Sequence, residues 1–163
     1  MMDHLEKQIA HVLDGVSAED RKRGGLQNGE WTGLIKERLC ALGQSLGYGV
    51  DAAKCKGADH DECMFDLIWA ADKEEFREMP LAMECVLSTN CDDIFKDFEK
   101  LLIAKAQHKL FVFQQCNDKE VTRVTKDLSA EARKFRPKLP EERYMLAGWS
   151  SERRSFIYHV VTG

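Results

Sequence analysis

Two carboxylates stand inside otherwise apolar stretches: Asp66 in Cys63-Met64-Phe65-Asp66-Leu67-Ile68-Trp69-Ala70, and Glu84 in Leu81-Ala82-Met83-Glu84-Cys85-Val86-Leu87. An acid withdrawn from water stays ionised only beside a cation, a metal ion or strong hydrogen-bond donors. If the two stretches are neighbouring strands, both carboxylates meet at one end of a sheet and offer the oxygen ligands that Mg²⁺ prefers. Such an ion activates water and stabilises a phosphoryl transition state, so the expected chemistry is hydrolysis assisted by Mg²⁺ or Mn²⁺. A plainer use exists for Asp66, because Arg38 falls on the apolar stripe of its own helix and could pair with it.

The elements that must position these acids follow from hydrophobic period and turn chemistry. Leu5, Ile9, Val12, Leu13 and Val16 recur at helical spacing over residues 3–16, and the polar stretch 18–27, with Arg21-Lys22-Arg23-Gly24-Gly25, predicts a loop. Asn28-Gly29-Glu30-Trp31 supplies a cap and an acidic first turn for a second helix, with Leu34, Ile35, Leu39, Leu42 and Leu46 on one stripe. Short and long strands over 48–52 and 63–70 form an expected hairpin, and Pro80 opens a third strand. A helix over about 92–107, a strand over 109–114, a polar helix over about 119–136 and two strands over 144–149 and 155–161 complete the chain. The order predicts an α/β fold with a mixed central β-sheet flanked by helices. At 163 residues it suits one domain, divided into an N-terminal helix and loop (1–27), a core (28–115) and a C-terminal helix with a strand pair (116–163).

The run αβββαβ from Glu30 to Gln114, carrying Phe65-Asp66-Leu67-Ile68-Trp69, Leu81-Ala82-Met83-Glu84-Cys85-Val86 and Asp97-Phe98-Glu99-Lys100-Leu101-Leu102, resembles the PD-(D/E)XK, or restriction-endonuclease-like, nuclease superfamily over about half of the chain. The resemblance implies a restriction-endonuclease-like core in which the acids of the second and third strands, here Asp66 and Glu84, hold the metal. A lysine positions or activates the water, and a Glu on the preceding helix, here Glu30, sometimes joins them. It also implies a nucleic-acid partner, DNA ahead of RNA. The pattern departs at one place: the lysine due two residues after the third-strand acid is Val86. Some members carry that residue on the following helix, which makes Lys100 the candidate. Lys105 is its rival, since projecting residues 94–106 at 100° per residue sets Lys105 among Ile94, Phe98, Leu101 and Leu102.

Other chemistry is thinner. Cys55, His60 and Cys63 share one loop and could fill three zinc positions, but no fourth ligand or CxxC knuckle accompanies them. The six cysteines form no CxxC pair, and reduced thiols are expected. P-loop, GxGxxG and HExxH motifs do not occur. Net charge is −4, split into −9 over residues 1–93 and +5 over 94–163, so a phosphate-facing surface would lie in the C-terminal part. No apolar run reaches the roughly 20 residues of a membrane helix and no secretory signal opens the chain, which predicts a cytoplasmic protein without a membrane partner. Three functions remain open: a metal-dependent nuclease, an inactive member of the same fold that binds nucleic acid or protein, and a homodimer or partner surface on the first helix and the 119–136 helix.

Overall fold

The computed structural model describes residues 1–163 apart from 62 and 73; Glu62 and Lys73, which fall in predicted turns, lie outside the described residues. The chain order is α1 (His4–Lys22), α2 (Asn28–Ser45), β1 (Gly49–Asp51), β2 (Leu67–Ala70), β3 (Met79–Val86), α3 (Cys91–Ile103), β4 (Ala106–Gln115), α4 (Asp118–Lys134), β5 (Arg143–Ser150) and β6 (Ser155–Thr162). All six strands form one mixed sheet in sequence order. β1–β2, β2–β3 and β5–β6 are antiparallel, whereas β3–β4 and β4–β5 are parallel. The two parallel steps are crossovers through α3 and α4, as parallel neighbours require. Among the described residues no helix is long and apolar enough to cross a membrane.

Strand alternation divides the core into two layers. Leu67, Trp69, Leu81, Met83, Leu110, Val112, Met145 and Ala147 pack with Ile9, Leu13, Ile35 and Leu39 of α1 and α2. Ile68, Ala82, Val86, Phe111, Phe113, Tyr144 and Leu146 pack with Ile94, Phe98, Leu101, Val121, Val124 and Leu128 of α3 and α4. Gly43 lets α2 lie close on β2: a Cβ there would come within 2.5 Å of the Trp69 indole nitrogen. That indole donates to the Leu39 carbonyl at 3.2 Å.

Three expected boundaries move, each through a contact that local pattern does not carry. Residues 18–22 are not loop, because α1 continues to Lys22. Its last turn is held by Asp20, 4% exposed, which accepts from Leu26 N–H and the Trp31 indole and pairs with Arg154 from the β5–β6 turn. β2 begins at Leu67 rather than at residue 63, because the Asp66 carboxylate itself accepts the Cys85 N–H that a longer strand would pair with main chain. α3 ends at Ile103, four residues early; Ala104 has turned to φ −66°, ψ 134°, and β4 starts at Ala106.

Candidate active site

β3 alternates Leu81, Met83 toward the α1/α2 layer and Ala82, Glu84, Val86 toward the α3/α4 layer. Glu84 therefore projects beneath α3, and it is only 2% exposed. The antiparallel register pairs Leu67 with Met83, which brings Asp66, one residue earlier, beside Glu84 on the neighbouring strand. The Asp66 Oδ2 accepts the N–H of Cys85 at 2.7 Å, so the main chain directly after Glu84 orients the second acid.

Lys100, on α3, completes the group. Its Nζ lies 3.3 Å from Glu84 Oε2 and 2.8 Å from Asp97 Oδ1. The other Glu84 oxygen, Oε1, is buried and has no hydrogen-bond partner among the described residues. A buried acceptor left unsatisfied costs about 1–3 kcal/mol, and more when charged. Burial, reinforced by the Asp66 charge, pushes the Glu84 carboxyl up to about 7, with Lys100 pulling the other way. Lys100 is held above the ordinary lysine value, first by its hydrogen bond to Asp97 and then by Glu84. It is therefore an ammonium at neutral pH, able to donate hydrogen bonds but not to act as a base.

Beside this group a cleft of about 390 Å³ is lined by Cys85, Leu87, Ser88, Asp93, Lys96 and Asp97. Gln114 donates to the Leu87 carbonyl and Gln115 to the Thr89 carbonyl at 3.2 Å. Those two amides tie the connection between Glu84 and α3 down to β4, so strand and helix are held at one spacing.

Comparison with protein-family models, with curated proteins and with solved structures returned no match.

Of the residues singled out in the sequence, the fold brings Asp66, Glu84 and Lys100 together. Lys105 does not face the core: it lies two residues beyond α3 and is exposed, because the helical projection that placed it inward ends at Ile103. Val86 is 4% exposed within the cluster of Ile94, Phe98, Phe111 and Phe113, a place hostile to an ammonium. Lys100 approaches the carboxylate from the helix instead. The Arg38–Asp66 bridge is not formed; Arg38 pairs with Glu19 of α1 at 3.9 Å. Glu30 is exposed at the start of α2, the helix layer across the sheet from Glu84, and its carboxylate accepts Gln27 N–H at 3.0 Å as half of a capping box.

The loop thiols and imidazole separate. Cys55 packs against the α1/α2 core, while His60 is exposed and its Nδ1 meets Asp51 Oδ1 at 2.7 Å. Cys63 lies nearer the acids, its thiol raised first by burial and then by the charges of Asp51, Glu84 and Asp66.

Asp3, Glu6 and His108 form a cluster whose ligand atoms lie within 4.8 Å of one another, which no local pattern shows because Glu6 and His108 are 102 positions apart. Its groups are already committed. Asp3 caps α1 through Glu6 N–H at 2.9 Å and meets His108 Nε2 at 2.7 Å, while Arg143 takes both Glu6 oxygens at 2.9 and 2.8 Å. An arginine between the acids supplies the charge a metal would bring, so this cluster reads as a clamp from α1 to β4 and β5.

Proposed function

We propose that the chain is a divalent-metal-dependent phosphodiesterase of the restriction-endonuclease-like fold, acting on nucleic acid through Asp66, Glu84 and Lys100. The reading rests on one observation: the buried Glu84 carboxylate has a free oxygen, a second acid beside it and an ammonium 3.3 Å from its other oxygen. The order α2, β1, β2, β3, α3, β4 is the αβββαβ run of the family resemblance, and it supports that assignment.

The donor set suits a hard divalent ion. Asp66 Oδ2 is spent on Cys85 N–H, which leaves Oδ1, at the entry to β2, and Glu84 Oε1, on β3, as two oxygen ligands. When bound there, Mg²⁺ or Mn²⁺ would lower the pKa of water and neutralise charge at a phosphoryl group. The remaining work belongs to the chain. Glu84, poised near 7, ionises readily as positive charge arrives, and Asp66 is oriented by the backbone. Lys100, as a permanent ammonium, donates to the attacking water or to a non-bridging phosphate oxygen and stabilises the charge that develops on it. In the proposed complex the flanking strand would run along the adjoining cleft, past Ser88 and Lys96.

Cleavage of single-stranded, duplex and branched DNA and RNA is measured with Mg²⁺ or Mn²⁺ and again with Asp66→Ala. Loss of activity is expected, and activity that survives the substitution would falsify the assignment. A second reading, an inactive member of the fold that binds nucleic acid or protein, draws on the apolar Val86 at the place where the family lysine is due. Its signature is nucleic-acid binding without cleavage, together with no calorimetric Mn²⁺ binding that depends on Glu84.

A further inference from the structure

We propose that Asp97 is the positioning residue of this site, holding the Lys100 ammonium against Glu84 from one turn earlier on α3. This rests on Lys100 being the ammonium of the proposed centre, but its structural content stands on contacts alone. Lys100 is 46% exposed, and a lysine on a four-carbon stem loses rotamer freedom when it is fixed. One contact of 3.3 Å on a half-exposed side chain does not hold such a group against water.

Asp97 supplies the shorter bond, 2.8 Å, from a carboxylate 32% exposed. The pair has the i,i+3 spacing with the acid on the N-terminal side, the favourable orientation on a helix. Asp93, one turn earlier still, does not compete, because its Oδ2 accepts from the Ser88 hydroxyl at 2.7 Å. Lys96, the lysine that lines the cleft, makes no ion pair among the described residues and serves as an internal reference. The same surface thus carries one lysine pinned toward the acids and one left free.

The test uses the full chain and the variants Asp97→Asn, which keeps size and removes charge, and Asp97→Glu, which keeps charge. Acylation of lysines by acetic anhydride at fixed pH is followed by peptide mass spectrometry, with the Lys100 rate divided by the Lys96 rate. In the wild type Lys100 should react severalfold more slowly than Lys96. Asp97→Asn should bring the ratio close to one, and Asp97→Glu should retain protection. Lys100 staying as protected in Asp97→Asn as in the wild type overturns the proposal.

Kinetics then read the consequence: Asp97→Asn should lower kcat by about 10- to 100-fold with KM little changed, since a misplaced group costs that order. Combining it with Lys100→Met should cost no more than Lys100→Met alone. An additive further loss would show that Asp97 acts other than through Lys100 and would overturn the proposal. A wild-type protein that cleaves nothing removes the nuclease reading, and the acylation ratio still decides whether Asp97 holds Lys100.

Discussion

Glu84 and Glu142 are both buried carboxylates met by a lysine, and the two pairs are built differently. Glu142 is bonded to Lys109 Nζ at 2.8 Å, and that ammonium, 1% exposed, also donates to the Tyr144 hydroxyl at 2.9 Å and lies 4.5 Å from the Tyr144 ring centre. Glu84 has a lysine at 3.3 Å that is nearly half exposed, a second acid at its side and an open cleft next to it. Each has one oxygen without a partner among the described residues. The Lys109 amine is pulled below its ordinary value by burial, whereas Lys100 is pushed above it by Asp97. A closed pair serves packing, because nothing can reach it. An open one, with its acid held near 7 and its lysine charged, is the arrangement that the proposed ion and hydrogen-bond chemistry needs.

Breaking the closed pair should have the largest effect on stability. Lys109→Met strands Glu142 as a buried charge, and loss of one partner from a buried pair costs about 3–5 kcal/mol, to be read from denaturant unfolding at pH 7. Metal binding and cleavage by the folded variant should stay at wild-type levels. A comparable loss of activity would show that the two pairs are one system.

Glu84→Gln should act in the opposite direction on stability. The folded carboxyl titrates near 7, above the ordinary 4.5, so the folded state keeps a proton that the unfolded chain has released. That stabilisation is complete below about 4.5 and is lost as pH rises to about 7. Relative to Glu84→Gln, the wild type should therefore lose about 3 kcal/mol across that window, measured as unfolding free energy at several pH values. The variant should gain stability at pH 8 while losing divalent-ion binding. Parallel stability curves for the two proteins would contradict the assigned burial of charge.

Lys100→Met should shift stability by no more than about 1 kcal/mol, because the ammonium is half in water and its pairs are screened. Its effect on cleavage should be far larger, and adding Val86→Lys should not restore the rate, because that side chain is buried in the apolar cluster under α3. Lys105→Ala, the smallest change, should leave both stability and turnover within error; a large kinetic loss would reinstate the lysine that the fold sets outside.

Much of this was legible in the sequence. Hydrophobic periods of two and 3.6, with the polar turns between them, place ten elements in their order, because those signals act over a few residues. An acid within each of two successive apolar strands points to Asp66 and Glu84, provided that the two strands are neighbours, as the register of β2 on β3 makes them. The Lys100 candidate came from family resemblance, and the helical projection favoured Lys105 because it assumed a helix running past Ile103.

What only the tertiary structure decided lies in contacts between distant residues. Arg154 reaches Asp20 across 134 positions and keeps α1 helical to Lys22; Glu142 reaches Lys109 across 33 and closes that pair. Side-chain period alone does not say whether a strand acid faces a helix that offers a lysine or one that does not. Glu84 is paired because the parallel step from β3 to β4 lays α3 over its face, and Lys100 points inward because Asp97 and the site share the same side of that helix. The types of the groups were written locally, and their distances were set by how the sheet is covered.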